Sequence, residues 1–288
     1  MKIKPGQPEA GRVLEDHYEP DEDGYPREIV GPWVLDKHHF LRHYVTASRG
    51  ARGNMGGSHC LIDLYCGPGK ARIRETQGSV PGGTLTAIDA ASRSTRGQAV
   101  PFSRVFIADL LEENVRACRA RLSARSDVQV TSFVGGAETT VHQVVGNLPR
   151  RGIHLAYLDP YALPQLPFSV LRALAAAPKV DLLIHFAASD MVRNLERRDL
   201  WSRFDAVAPG WQDSCNTNRG KSVVRQQFFT HWTGLLEGLG YHVSDRVVSV
   251  KNTRRREIYR LVLASKHKLG DNIWRTLNDR SGQKGLSL

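Results

Sequence analysis

Short apolar runs in this sequence end in acidic residues or glycines, a combination that can hold a polar ligand. Residues 61–71 read LIDLYCGPGKA, so an apolar strand runs into Asp63, Tyr65 and a turn that contains Gly67 and Gly69. A side chain at either glycine would block the approach of the backbone to a ligand. The N–H groups of such a turn can bind a carboxylate or a phosphate. Taken alone, this segment is also compatible with a simple strand-to-helix turn.

A second apolar run, residues 105–109, ends in the carboxylate of Asp109, where a neighbouring parallel strand should stop. A carboxylate at that place can accept hydrogen bonds from both hydroxyls of a ribose, although Asp109 could instead cap the helix that follows it. A third run reaches Gly135 and Gly136, where glycines permit the close approach of a base and a plain loop fits equally well. The candidate ligand-binding residues are Asp63, Tyr65, Gly67, Gly69, Asp109, Leu110 and Gly135.

The fourth apolar run places an acid, a proline and an aromatic ring in succession, as Asp159, Pro160 and Tyr161. An Asp side chain and the carbonyl after it can accept hydrogen bonds from an exocyclic amine, while a tyrosine ring stacks on a base. A neutral amine positioned in this way needs no strong base to attack an activated methyl group. We therefore predict that these three residues position a methyl acceptor. An ordinary Asp-Pro-Tyr turn is the alternative.

The elements around these motifs alternate between apolar strands and amphipathic helices, which is typical of an α/β protein. We predict seven strands, at residues 60–65, 104–109, 128–134, 153–159, 180–187, 241–250 and 257–264. Helices are predicted between the first six of them, at residues 82–91, 111–124, 138–147, 166–176 and 222–239. Ahead of the first strand, residues 33–44 have the apolar spacing of a helix, and residues 50–58 read as a loop.

The last two strands are separated only by residues 251–256, which is too short for a crossover helix, so they must pair antiparallel. A mostly parallel sheet that ends in such a hairpin is the topology of the Rossmann-like class I methyltransferase fold. We predict one domain of this kind over residues 31–288, with an insertion at about 188–221. Residues 1–30 are acidic and poor in apolar side chains, and we expect them to form a flexible arm.

The composition of the chain indicates what kind of partner it binds and where in the cell we expect it. The chain has 40 Lys and Arg against 29 Asp and Glu, a net charge of +11 that favours nucleic acid as a polyanionic partner. Lys251, Arg254, Arg255 and Arg256 would form a basic turn that touches phosphate. No apolar run approaches the ~18 residues needed to cross a bilayer, so we expect no membrane contact. The four cysteines lack paired short spacings, and we expect a cytoplasmic protein without disulfides or a metal site.

Several segments resemble the three-Cys-motif partner protein family, TcmP. The resemblance covers most of the chain and rests on the helix with Lys37 and Tyr44, LIDLYCGPG at 61–69, Gly78-Ser79 with Pro81, LDPYAL at 158–163 and LVLASKHKLGDNIW at 261–274. It implies a class I methyltransferase-like fold, S-adenosylmethionine as the cofactor, and a partner protein with a three-cysteine, radical-enzyme-like motif. The chain departs from the family at Gly135-Gly136, where Gly-Asp is usual. It departs from amino-methylating enzymes in having a single proline, Pro160, before the aromatic ring.

Motifs and resemblance together predict an S-adenosylmethionine-dependent methyltransferase that acts on a base amine in nucleic acid and works with the three-cysteine partner. The alternative is a non-catalytic, cofactor-binding partner subunit that recognises nucleic acid or protein. A nicotinamide or flavin oxidoreductase is disfavoured, because the final hairpin is not needed there and the chain lacks a full G-x-G-x-x-G after the first strand.

Overall fold

The computed structural model describes residues 17–93, 99–125, 128–251 and 257–284, with the backbone alone at 188, 192 and 278–284. Its strands are β1 Tyr18–Pro20, β2 Pro26–Val30, β3 Cys60–Asp63, β4 Lys70–Ile73, β5 Ser79–Pro81, β6 Arg104–Asp109, β7 Gln129–Val134, β8 His154–Leu158, β9 Val180–Phe186, β10 His242–Val243, β11 Val248–Lys251 and β12 Glu257–Ser265. The α-helices are α1 Val34–Ala47, α2 Arg49–Met55, α3 Gly83–Ser92, α4 Glu112–Ser123, α5 Ala137–Asn147, α6 Phe168–Ala176, α7 Ala188–Asn194, α8 Trp201–Val207, α9 Trp211–Ser214, α10 Lys221–Gly238 and α11 Lys268–Lys284.

The main sheet confirms the predicted fold class. Its strands lie in the order β10-β12-β9-β8-β3-β6-β7, with β11 paired to β12. The five strands from β9 to β7 are parallel, and β12 joins β9 antiparallel. The chain thus builds outward from β3 through β6 and β7, then returns to β8 on the other side of β3. This is the strand order of the Rossmann-like class I methyltransferase fold, with its antiparallel last strand.

The predicted sixth strand, residues 241–250, is divided in two, so the main sheet has eight strands among the described residues rather than seven. Both pieces pair antiparallel with β12. Val243 pairs with Ala264 and Val248 with Leu261, so two extra residues bulge out of the strand between these pairs. The bulge is held by the indole N–H of Trp274, which donates a hydrogen bond to the carbonyl of Arg246 at 2.7 Å.

Residues 17–30 differ from the flexible arm that we expected, because they form β1 and β2 of a second, four-stranded sheet. Its order is β1-β2-β4-β5, so the N-terminal hairpin pairs with the strands that follow the glycine turn. Acidic residues that suggested disorder are ion-paired instead: the buried Asp21 carboxylate contacts Lys70 and Arg121. The part of the predicted arm before residue 17 lies outside the described residues.

Apolar side chains cover both faces of the main sheet and position its edges. Helices α1, α3, α4 and α11 pack on one face, and α5, α6 and α10 on the other. The predicted insertion contains the short helices α7, α8 and α9, and its Phe204 and Trp211 are buried against the second face. The loop expected at 50–58 is helical as far as Met55, because the buried Arg52 donates hydrogen bonds back to Ser48 and Val45. No helix among the described residues is long and apolar enough to cross a membrane.

Candidate active site

The four motifs predicted from the sequence meet at one edge of the main sheet. Strands β3, β6, β7 and β8 are parallel neighbours, and their carboxyl ends carry Asp63, Asp109, Gly135 and Asp159. The chain leaves β3 toward β6 on one side and returns to β8 on the other, so a topological switch point lies between β3 and β8. In open α/β sheets, ligands bind in the crevice that forms at such a point.

The glycine turn needs its glycines for two separate reasons. Gly67 and Gly69 have φ angles of 53° and 79°, which side chains of L-residues rarely adopt. A Cβ on Gly69 would also lie 2.9 Å from the Cδ1 atom of Leu85 in α3. The N–H of Gly67 donates a hydrogen bond to Oδ2 of Asp109 at 3.0 Å, so the turn is tied directly to the end of β6. The two motifs found separately in the sequence are therefore one connected unit.

The buried side chain of Asp63 stabilises this turn through hydrogen bonds. Its side chain accepts hydrogen bonds from the Thr84 hydroxyl at 2.6 Å and from the Tyr65 N–H at 3.0 Å. Burial raises the pKa of Asp63 to about 7, because an ionised carboxylate loses the hydration it has in water. At 2% exposure this carboxylate does not face the crevice. It fixes the first turn of α3 and the glycine turn relative to each other, and Tyr65 is anchored in addition by its hydroxyl on the carbonyl of Gln165 at 2.6 Å.

Asp109 contacts the start of the helix that follows it, as the capping alternative predicted, and it also accepts a hydrogen bond from the glycine turn. Its Oδ1 accepts from the N–H of Leu111 at 2.9 Å and from Nδ2 of Asn114 at 3.1 Å, which orders the start of α4. Its Oδ2 accepts from Gly67. Asp109 is half-buried, and since each carboxylate oxygen has two lone pairs, one acceptor position is left on Oδ2. A ribose hydroxyl could use that position.

Large apolar side chains are exposed along the same edge. Leu110 follows β6 and is 69% exposed, Val134 ends β7 and is 54% exposed, and Tyr161 follows β8 and is 56% exposed. Single exposed apolar residues are ordinary, but these three follow or end strands β6, β7 and β8, whose carboxyl ends lie at one edge of the sheet. Gly135 lies beside Val134 with φ of 145° and donates its N–H to the Asp109 carbonyl at 2.9 Å. The arrangement suits a planar ring inserted between apolar side chains.

Asp159 forms a close ion pair with a residue from the opposite end of the chain. The ammonium of Lys37, on α1, lies 2.7 Å and 2.8 Å from the two carboxylate oxygens of Asp159. It also lies 4.4 Å above the centre of the Tyr259 ring. Burial alone would raise the pKa of Asp159, but the charges of His185 and Lys37 lower it to about 2. Burial lowers the pKa of His185 to about 3, so at neutral pH Lys37 supplies the positive charge that keeps Asp159 ionised.

His185 is an unusual neighbour of this ion pair. Its side chain is fully buried, and neither ring nitrogen makes a hydrogen bond to a described residue. Its Nδ1 lies 3.5 Å from Oδ1 of Asp159, beyond a good hydrogen bond. Tyr157 lies edge-on to the His185 ring and donates its hydroxyl to Asp159 at 3.2 Å. Asp159 is thus held by Lys37 and Tyr157, and the buried imidazole adds no hydrogen bond to it.

Pro160 and Tyr161, which follow Asp159 in the same motif, differ in their exposure to solvent. Pro160 is buried, whereas the Tyr161 ring faces outward, with its hydroxyl 2.7 Å from Nε2 of His17. At 56% exposure, the Tyr161 ring does not belong to the core. An exposed ring at the mouth of a crevice can stack on a ligand.

Sequence reasoning missed Glu28, which lies in the same crevice. This residue is on β2, and its Oε2 lies 3.9 Å from the place where a Cβ on Gly67 would be. Burial raises the pKa of Glu28 to about 7, with Lys37 opposing the shift and Asp159 adding to it. The available signal in residues 26–30 was the pair of β-branched residues Ile29 and Val30, which are compatible with a short strand. Lys37 was noticed only through the family resemblance, because its partner is 122 residues away.

The predicted nucleic-acid contacts are described only in part. Lys251 ends β11 and is exposed, whereas Arg254, Arg255 and Arg256 lie outside the described residues. The described part of the chain has no group of three or more His, Cys, Asp or Glu side chains that could hold a metal ion.

Comparison with known proteins gives structural similarity alone. No protein-family model and no curated protein matches the sequence. Among solved structures, an O-methyltransferase from Bacillus cereus in complex with SAH has a TM-score of 0.44 at 12% identity, over 88% of this chain and 86% of that one. Magnesium protoporphyrin IX methyltransferase from Synechocystis PCC 6803, with bound SAH, has a TM-score of 0.43 at 15% identity, over 81% and 84% of the chains. Trm1 from Pyrococcus horikoshii, with S-adenosyl-L-methionine, has a TM-score of 0.43 at 10% identity, over 86% of this chain and 62% of that one. At these scores the similarity carries no argument about what this chain binds.

Proposed function

We propose that this chain is an S-adenosylmethionine-dependent methyltransferase whose acceptor is a base amine in nucleic acid. The observation that carries the proposal is the connected unit at the switch point, in which the Gly67 turn is hydrogen-bonded to Asp109 and the Asp159 motif stands on the next strand. A glycine turn, a carboxylate on the neighbouring strand and an exposed apolar edge are the features that a nucleoside cofactor requires.

The residues present fit such a cofactor. Asp109 has a free acceptor position for a ribose hydroxyl, and Leu110 and Val134 offer apolar surface to an adenine ring beside Gly135. The turn at Gly67 and Gly69 lets the backbone approach the amino-acid end. When bound, S-adenosylmethionine supplies a methyl group already activated for transfer.

The acceptor would be positioned by Asp159 and Tyr161. Lys37 keeps Asp159 ionised, so the carboxylate can accept a hydrogen bond from an exocyclic amine, while the exposed Tyr161 ring stacks on the base. A bound cofactor would supply the methyl group to the amine nitrogen, and the proton that the amine loses would pass to water. Asp159 orients the amine and does not need to remove the proton, since its low pKa makes it a weak base.

The second candidate is a cofactor-binding partner subunit that recognises nucleic acid or protein without transferring methyl. One observation favours it: both oxygens of Asp159 already face Lys37, and Tyr157 takes a third acceptor position, so a single one remains for an amine. Membership of the TcmP family, a three-cysteine partner and a cytoplasmic location belong to both candidates as proposals, on the motifs quoted above.

Incubation with methyl-labelled S-adenosylmethionine and cellular nucleic acid tests the proposal, with and without the three-cysteine protein. We expect label in nucleic acid, with transfer abolished by Asp159→Ala while the variant still binds the cofactor. Cofactor binding without transfer to any acceptor, under both conditions, would favour the partner-subunit candidate. Absence of cofactor binding by a folded protein would overturn both.

A further inference from the structure

Glu28 has a free carboxylate in a part of the crevice that the predicted motifs leave unassigned. Strand pairing holds it there, because Glu28 is opposite Tyr18 on β1 and opposite Ala71 on β4. Since β4 follows directly after the glycine turn, this register places Glu28 over Gly67, with Oε2 3.9 Å from the position of an added Cβ. No described residue donates a hydrogen bond to the Glu28 carboxylate, so its acceptor positions are available to a ligand.

The charges around Glu28 favour a cation. Carboxylates of Asp109 and Asp159 are close enough to influence its ionisation, and the opposing cation is Lys37. The Lys37 ammonium is already engaged by both oxygens of Asp159 at 2.7 Å and 2.8 Å. Glu28 therefore shares the Lys37 ammonium with Asp159, which holds it directly, and a partly buried carboxylate without its own counter-ion favours a positively charged ligand.

We propose that Glu28 binds the α-ammonium group at the amino-acid end of S-adenosylmethionine, an inference that rests on the function proposed above. The amino-acid end belongs over the glycine turn, where backbone N–H groups can face its carboxylate. An ammonium group has three N–H donors and forms charge-assisted hydrogen bonds with a carboxylate. A sulfonium has no donor, so the ammonium is the cation that can use the free acceptor positions of Glu28.

Calorimetry with three ligands tests this assignment on the full chain. S-adenosylmethionine and S-adenosylhomocysteine both carry the α-ammonium, whereas 5′-methylthioadenosine has the same nucleoside thioether and lacks the amino-acid end. We expect Glu28→Gln to weaken the first two by roughly 10-fold or more, about 1.4 kcal/mol. Its affinity for 5′-methylthioadenosine should stay within about 2-fold of the wild type, a margin well under the roughly 1.4 kcal/mol of a tenfold change.

Two further variants make the result specific. Glu22→Gln removes an exposed carboxylate from the turn of the same hairpin and should leave all three affinities unchanged. Glu28→Asp keeps the charge one methylene further from the ligand and should give intermediate affinities. If Glu28→Gln folds poorly, Glu28→Asp alone decides, by weakening the amino-acid-containing ligands selectively.

Other results would overturn the assignment. Equal weakening of all three ligands would mean that Glu28 shapes the glycine turn. Weakening of S-adenosylmethionine alone would assign Glu28 to the sulfonium charge, and unchanged affinities would remove it from the site. If the wild type binds none of the three, the proposed function itself fails, which is distinguishable from every result above.

Discussion

At neutral pH, Lys37 is the cation bonded to Asp159, since burial keeps the neighbouring His185 uncharged, and replacing Lys37 therefore tests how the site is stabilised. Removing one member of a buried ion pair leaves an uncompensated charge and typically costs about 3–5 kcal/mol. Because the Lys37 side chain is 9% exposed and that of Asp159 is 23% exposed, we expect the lower end of this range. Lys37→Met should therefore reduce the free energy of unfolding by about 3 kcal/mol at pH 7.

The sign of the pH dependence distinguishes this effect from simple loss of packing. The folded-state pKa of Asp159 is lowered from its ordinary value to about 2, so the pair stabilises the fold above pH ~4, and that contribution is lost as pH falls through 2. In Lys37→Met, the buried Asp159 has lost its cation, so its ionised form is no longer favoured over the protonated form. Lowering the pH from 7 toward 4 protonates it, and the variant should therefore recover stability relative to the wild type. Denaturant unfolding at both pH values measures this. Lys37→Met with Asp159→Asn should recover part of the loss at pH 7, and a double variant no better than the single one would contradict the account.

Tyr157 and Tyr161 flank Asp159 and provide a matched pair for separating packing from ligand contact. Tyr161 is 56% exposed, so Tyr161→Ala should change the free energy of unfolding by no more than about 0.5 kcal/mol. It should nevertheless weaken acceptor binding by about 1–3 kcal/mol, the value of a stacked base. Tyr157 is 2% exposed, and Tyr157→Ala should lower stability by about 3–5 kcal/mol. Thermal melts and nucleic-acid binding of both variants decide; a large stability loss in Tyr161→Ala would assign that ring to the fold.

At the scale of elements, the N-terminal hairpin is fastened to the glycine turn through Arg121 on α4. The Arg121 guanidinium donates to both oxygens of Asp23 at 2.7 Å. It also donates to the carbonyls of Pro26 and Pro68 at 2.7 Å each. Pro68 lies between the two glycines of the turn, so one buried side chain connects the hairpin that carries Glu28 to the turn beneath it. The hairpin and the turn should lose order together when this side chain is replaced.

Arg121→Met should lower the free energy of unfolding by about 3 kcal/mol, the low end for a buried pair because Asp23 is 37% exposed, since Asp23 loses its cation and two carbonyls lose a donor. It should also accelerate proteolytic cleavage within residues 20–26, where the hairpin turns. Arg116→Met, on the same helix with an exposed side chain, is the control and should leave both unchanged. A stable Arg121→Met protein with slow cleavage would show that strand pairing alone holds the hairpin.

These elements differ in how far the sequence could predict them. Strands β3, β6, β8 and β9 are buried parallel strands, so they read as continuous apolar runs, and their carboxyl ends marked the positions of Asp63, Asp109 and Asp159. Strands β1 and β2 have 3 and 5 residues with no fully buried position, and their order depends on ion pairs to distant residues. The roles of Glu28 and Lys37 could not be predicted for the same reason, because each residue reaches the site through contacts with residues that are distant in the sequence.

At the scale of the whole molecule, charge is distributed unevenly between the crevice and the rest of the surface. The net charge is +11, yet the crevice holds the carboxylates of Glu28, Asp109 and Asp159, and Lys37 is the cation that opposes Glu28 and Asp159. A basic exterior attracts nucleic acid at long range, while an acidic crevice repels phosphate and admits a neutral base or a cationic cofactor. Phosphate contacts are therefore expected outside the crevice, at its rim or along the far edge of the sheet.

The basic turn predicted from the sequence, with Lys251 and the three arginines 254–256, is the candidate for those contacts. The salt dependence of nucleic-acid binding tests it. Replacing Arg254, Arg255 and Arg256 by alanine should weaken nucleic-acid binding and reduce the slope of log affinity against log salt by about 1 for each phosphate that the turn no longer neutralises. The control removes the same three charges from α4 and its C-terminal end, at the opposite edge of the sheet, as R116A, R119A and R125A. If binding depends on net charge alone, both triple variants should weaken it equally. If the turn itself touches phosphate, the slope should become shallower in the turn variant and stay the same in the control variant. An unchanged slope in the turn variant would assign the turn a structural role.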